Sequence, residues 1–279
     1  MNEDNKVAVS PADLLNPDVV LLSLLFAGSF LGAKSAFNRY LRQLNKVTEI
    51  PPSVFKKRWL YGKVTSVGDG DNFHFYHMPG GLLGGWGWLR KVPRLERLED
   101  KNGTVESTDR IQSFYRRRLL RVFKKQSLES AWSNHYLSLK VVYKNRRNLS
   151  TLPVRFCGID APERAHFGNP AQPFSEEALN WLKYTVLSKG VWIKPLSVDQ
   201  YGRCVARVAY WTWTGYKDLS LEMVKRGLAV VYESKSFAEF DGREKAYRAQ
   251  ERIARAQKRG LWSQKKVETP GEYKRSTRQ

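Results

Sequence analysis

The sequence predicts an α+β domain dominated by β structure, behind an apolar helix near the N-terminus. Three observations lead there. Five runs rich in aromatic and β-branched residues, near 59–67, 71–77, 153–159, 191–196 and 203–211, read as strands. Three stretches follow the start and stop grammar of helices. The run Val19 to Ala33 carries no charge at all.

The strands are justified first. Trp59 to Val67 is followed by the turn signal Gly68-Asp-Gly, and Asp71 to His77 then alternates. Phe73 and Phe75 fall on one face, and Asn72, His74 and Tyr76 on the other. The hairpin tip holds Asp69 and Asp71, two residues apart and able to share a face. Oxygen ligands of this kind suit a hard cation such as calcium. Asp and Gly are also ordinary turn formers, so the tip alone does not specify a metal. His74 and His77 are three apart on a strand and face opposite ways, which argues against a shared ligand role; both read as surface or partly buried histidines.

The helices come next. Glu176 and Glu177 suit the first turn of a helix over about 175–188, with Ala178, Leu182 and Val186 on one side. Asp218 caps a second helix that stops at Gly227. A third spans about Arg243 to Lys258, before Gly260.

Composition narrows the function. Apolar residues make up 42% of the 279, with many aromatics, which requires a packed core and excludes a disordered chain. The formal charge of +21 points to a polyanion, either nucleic acid or an anionic membrane surface. Cys157 and Cys204 have neither the number of a disulfide framework nor a zinc spacing. They read as free thiols, with a single bridge between them left open.

The apolar run 19–33 is shorter than the ~20 residues that usually span a bilayer, but Lys34 and Arg39 can snorkel. An acidic flank precedes it and a basic one follows, so the C-terminal side is expected to face the cytosol or its topological equivalent. The run reads as an uncleaved membrane anchor after a tail of residues 1–18. Residues 34–58 read as a connector, 59–263 as the folded domain, 79–150 as an insertion within it, and 264–279 as a basic tail. Inside the insertion, Tyr115 to Lys125 has the pattern of an amphipathic helix. Its basic and aromatic residues suit nucleic acid, anionic lipid, or a solvated loop.

Two segments carry chemistry. Val154 to Ile159 is a strand, and Asp160-Ala-Pro-Glu163 is its exit turn. Arg155, Asp160 and Glu163 cluster there, a set suited to phosphodiester chemistry: a cation holder, a proton acceptor and a phosphate clamp. Taken alone, this is also what a charged surface turn looks like. In the second segment, Asp199-Gln-Tyr-Gly202 turns into a strand that starts with Arg203, a second guanidinium to match charge on a phosphoryl transition state.

Gly68-Asp-Gly-Asp71, Arg155 with Asp160-Ala-Pro-Glu163, and Tyr201-Gly-Arg203, in that order, resemble the signature of the staphylococcal nuclease (thermonuclease) family. Leu219 to Tyr232 and Gly260-Leu-Trp262 resemble the family's later helix, its "GLA"-type strand and the end of its last helix. The similarity covers about 59–77 and 152–263. The whole chain resembles the fungal membrane-anchored, thermonuclease-like endonucleases, which implies a mitochondrial membrane.

The resemblance implies an OB-type five-stranded barrel with three helices and a calcium-dependent endonuclease acting on DNA or RNA. Carried over residue by residue, Asp71, Asp160 and the main-chain carbonyl of Ala161 would hold calcium. Glu163 would be the general base, and Arg155 and Arg203 would bind the phosphate. Tyr201 would border the nucleotide pocket. The family's products carry a 5′-hydroxyl and a 3′-phosphate. The family often has threonine where this chain has Ala161. His166 reads as a solvated loop histidine. The alternatives are a non-catalytic nucleic-acid-binding barrel tethered to a membrane, and a lipid-binding scaffold.

Overall fold

The structure, a computed structural model, describes residues 16–93, 96–97, 143–144, 149–165, 168–233 and 238–276. It forms two compact units divided after Gln43. The expected helix at 115–125 and His166 lie outside the described residues.

The first unit holds α1 (Pro17–Ala36), continued as a π-helix over Phe37–Leu41. The Asn16 side chain caps it by accepting the Asp18 N–H (3.1 Å). α1 runs further at both ends than the uncharged stretch, because Pro17 suits a first helical turn and Lys34 suits a last one. Its residues are exposed throughout, including Leu21, Leu22, Leu24, Leu25 and Phe26. By length and composition, the 25 residues Pro17–Leu41 suffice to cross a membrane.

The second unit begins with a segment that was expected to be connector. Leu44, Val47, Ile50 and Val54 are instead buried in its core. The hairpin β1 (Leu60–Asp69) and β2 (Asn72–His77) follows. Of the insertion, residues 79–90 form turns, with Trp86 buried edge-on against Tyr76 (5.6 Å). Two residues each of β3 (Glu96–Arg97) and β4 (Tyr143–Lys144) pair antiparallel.

The chain continues through β5 (Leu152–Phe156), β6 (Ile159–Asp160), α2 (Ser175–Val186), β7 (Gly190–Val198), β8 (Cys204–Thr212) and β9 (Gly215–Asp218). After these come α3 (Leu219–Lys225), β10 (Val230–Val231), α4 (Glu244–Ala256) and α5 (Pro270–Ser276). The five long strands match the five apolar runs, and α2, α3 and α4 match the expected helices. The tail expected to be merely basic forms α5.

The main sheet has the order β5-β2-β1-β7-β8-β9, and β5 also pairs in parallel with β8. That extra pairing closes five strands into a ring, the expected mainly-β barrel. Its inward face follows the alternation of the sequence. Phe73, Phe75, Val154, Phe156, Val191, Ile193, Ala206 and Val208 are all buried. Phe73 and Phe156 meet edge to face at 5.3 Å.

Ala178, Leu182 and Val186 of α2 enter the same core. α3 starts where Asp218 accepts the Leu221 N–H (3.1 Å). The half-buried Asp218 also takes bonds through its shielded carboxylate from Tyr247 of α4 (3.0 Å) and Arg207 of β8 (2.9 Å), tying both helices to the barrel. α3 ends at Gly227, whose φ of 66° and contact with the backbone of Arg259 leave no room for a side chain. Cys157 and Cys204 are free and buried, and burial pushes both thiols up to about 12.

His74 and His77 do face opposite ways, but His77 is not at the surface. It lies buried on the side of Phe73 and Phe75, and its Nδ1 accepts the Leu44 N–H at 3.0 Å. Burial lowers its pKa to about 4, below the ordinary value of 6.5. The neutral ring therefore adds stability that is fully present above pH ~6.5 and is lost as the pH falls toward 4. The thermal midpoint, followed by circular dichroism, should drop over that window in the wild type. It should drop less in His77→Asn, which keeps an acceptor but does not titrate. Equal slopes for the two proteins would exclude His77 as the acid-sensitive group.

Candidate functional site

Five chain segments meet at one mouth of the barrel, the last of them in α5. Asn72 pairs with Arg155 across β2 and β5, and the carbonyl of Asp71 accepts the Phe156 N–H at 2.9 Å. The parallel pairing sets Arg155 opposite Val205, so Arg203, at the entrance to β8, comes alongside. β6 pairs with β10, with Asp160 opposite Val230. The result is a cleft of about 840 Å³, lined among others by Asp69, Asp71, Arg155, Asp160, Glu163, Tyr201 and Arg203.

Ion pairs join these groups. Arg155 Nη2 lies 3.0 Å from Asp160 Oδ1 and 3.4 Å from Asp71 Oδ2. Burial works against the Arg155 charge, but Asp71 and Asp160 outweigh it and raise the pKa. Asp160 and Asp71 are buried. Burial moves the Asp160 carboxyl upward, with Lys274 and Arg155 pulling it back and Asp71 pushing with burial. Desolvation likewise raises Asp69, whose Oδ1 accepts the Gly70 N–H at 2.8 Å.

Arg203 Nε donates to Asp199 Oδ2 at 2.7 Å, and its guanidinium sits 5.3 Å from the ring of Tyr201, which is exposed. Asp199 also accepts the N–H groups of Tyr201 and Arg203, both at 2.9 Å. Although burial opposes it, these bonds hold Asp199 below the usual carboxylate range. Asp199 thus fixes the turn and the guanidinium together.

Glu163 is held through its backbone. Its N–H donates to Gln172 Oε1 at 2.9 Å, and its carbonyl accepts the Gln172 N–H at 2.8 Å. Its carboxylate remains partly exposed in the cleft.

Six of the seven expected site residues line this cleft; the seventh, Ala161, is buried behind it. A Cβ on Gly70 would come within 2.7 Å of the Ala161 Cβ and 3.3 Å of the Ala178 Cβ. Gly70 and Ala161 are both small because the two acidic turns press together there. A threonine at 161 would have to fit into that contact.

Sequence reading missed Asp199, Gln172 and Lys274 as site neighbours. In sequence Asp199 signals only a turn, and Gln172 lies in an irregular stretch with no periodic signal. Lys274 Nζ lies 3.0 Å from each Asp160 oxygen and 2.7 Å from Glu163 Oε1. It comes from α5, and the sequence did mark that helix: Thr269-Pro-Gly-Glu272 is a capping box with proline at its first helical position. Among the described residues, no three His, Cys, Asp or Glu side chains form a ready metal cage.

A family model described as Staphylococcal nuclease homologue matches residues 153–264. The chain is 59% identical over 275 residues to "Probable endonuclease LCL3" of Zygosaccharomyces rouxii, covering 99% of each chain. To the protein of that name in Candida glabrata it is 53% identical, over 98% of this chain and 97% of the relative. For Saccharomyces cerevisiae the identity is 56%, over 92% and 95%.

The contact between the acidic turns can be tested. Gly70→Ala should cost roughly 1–3 kcal/mol, the range for overpacking a filled site. Urea unfolding followed by tryptophan fluorescence would measure it. A loss under ~0.5 kcal/mol would mean that the two turns separate freely.

Proposed function

The chain belongs to the staphylococcal nuclease family, and we propose that it is a membrane-anchored, calcium-dependent endonuclease that hydrolyses phosphodiester bonds of DNA or RNA. One observation carries this reading. A single cleft gathers a proton acceptor, two carboxylates able to hold a cation, and two guanidiniums. The relatives' printed name, a probable endonuclease, agrees with it.

Each residue then has a task that follows from its surroundings. Glu163, its backbone clamped by Gln172, takes the proton from an attacking water. Arg203 spends Nε on Asp199, so its terminal amino groups are available to a phosphate oxygen. Arg155 lies beside Asp71 and Asp160 and meets the same phosphate from the other strand. Fixed charges of this kind stabilise the extra negative charge of the transition state without reorganising. Tyr201, exposed at the rim, offers a face on which a base can stack.

Calcium fits the donor set, which is all oxygen. Asp71, Asp160 and the Ala161 carbonyl would hold it, and water or substrate would complete its shell. When bound, it supplies positive charge opposite the phosphate. Cleavage would leave a 5′-hydroxyl and a 3′-phosphate, as the family resemblance implies. The apolar α1 would anchor the enzyme in a membrane, mitochondrial by the same resemblance.

The competing reading is a tethered barrel that binds nucleic acid without cutting it. Glu163→Gln separates the two. It should keep DNA binding in a gel-shift assay while cleavage in calcium falls about 100-fold or more, the usual worth of a general base. A calcium chelator should stop wild-type cleavage. Wild-type cutting by Glu163→Gln would remove Glu163 from the mechanism. No cutting by the wild type, with DNA still bound, would favour the binder.

A further inference from the structure

The C-terminal segment contributes a group of its own to the cleft. α5 lies beyond residues 153–264, the stretch that matches the family model. A reciprocal cap sets its start. The Thr269 N–H donates to Glu272 Oε2 at 2.8 Å, and the Glu272 N–H donates to Thr269 Oγ1 at 3.3 Å. Two bonds fasten the segment beside the site. Gln172 Nε2 donates to the Glu268 carbonyl at 3.2 Å, and the Tyr273 hydroxyl donates to the Pro170 carbonyl. Lys274 is thereby delivered to Asp160 and Glu163, with its ammonium 3.0 Å from both oxygens of the one and 2.7 Å from the other.

Those oxygens are the ones the proposed chemistry needs. A dication on Asp160 and an ammonium on the same two oxygens would repel each other at contact distance. A Glu163 oxygen that accepts from Lys274 is less free to accept a proton from water. α5 depends on these contacts for its place. It is too short to persist alone, and within it only Pro270 is buried.

We propose that Lys274 is a built-in competitor of the divalent cation: α5 holds its ammonium on the cation-binding and base carboxylates, and cation entry displaces α5. This rests on the reading of the cleft as a calcium-dependent nuclease site. The charge-neutral variant Lys274→Met tests it in the full chain in detergent micelles. Calcium affinity is measured by titration calorimetry and DNA cleavage is followed against calcium concentration. Amide exchange of residues 268–276 is compared with and without calcium.

Lys274→Met should lower the half-saturating calcium concentration at least tenfold in both binding and cleavage. In the wild type, calcium should speed exchange in α5. Glu272→Ala, which breaks the cap but keeps the lysine, should lower the calcium requirement in the same direction. Wild-type calcium affinity in both variants, or α5 amides equally protected with and without calcium, would overturn the proposal while leaving the nuclease reading intact. No calcium binding by the wild type or either variant would overturn both.

Discussion

The parallel pairing of β5 with β8 is the contact on which the site depends. It closes the ring of strands, and it sets the register between the strand that carries Arg155 and the one that Arg203 opens. A slip by one residue would turn either strand's inner side chains outward. The cost would be Val154, Phe156, Cys204 and Ala206 lost from the core, all of them buried. The apolar interior therefore enforces the position of two charged groups that take no part in it. Asp71 is tied to the other side of β5, where its carbonyl accepts the Phe156 N–H next to the β2–β5 pairing.

A second constraint is electrostatic. Asp71, Asp160 and Glu163 gather negative charge in a partly dry cleft, a costly arrangement without compensation. Arg155 supplies one compensating charge from within the barrel, and Lys274 supplies another from α5. The two differ in how firmly they are held. Arg155 lies on a strand paired on both sides, whereas Lys274 is carried by two short turns of helix.

Much of the fold was legible because each long strand has one buried face. Alternation in 71–77 and 203–211 follows directly from that, and Asp218 and Gly227 bracket α3 by ordinary capping chemistry. β6 and β9 were not legible, since segments of two to four residues carry no period, and the equally short β10 was expected only through the family resemblance of Leu219 to Tyr232. Leu44 to Val54 carries no legible element, because its apolar residues follow neither a helical nor a strand repeat. The acids and arginines that line the cleft were legible from their places at strand ends and turns, together with motif order. Their orienting partners were not, because Gln172 and Lys274 reach Glu163 through contacts that local sequence does not encode. Asp199 lay within a recognised turn, but its grip on Arg203 Nε depends on the turn's geometry.

The burial of Cys157 and Cys204 has a practical consequence. With both thiols held near 12, almost no thiolate exists at neutral pH, and reagents reach neither sulfur easily. The native protein is therefore close to silent toward maleimides. One cysteine introduced on the outer surface would take a spin label or fluorophore alone, with both native sulfurs left in place.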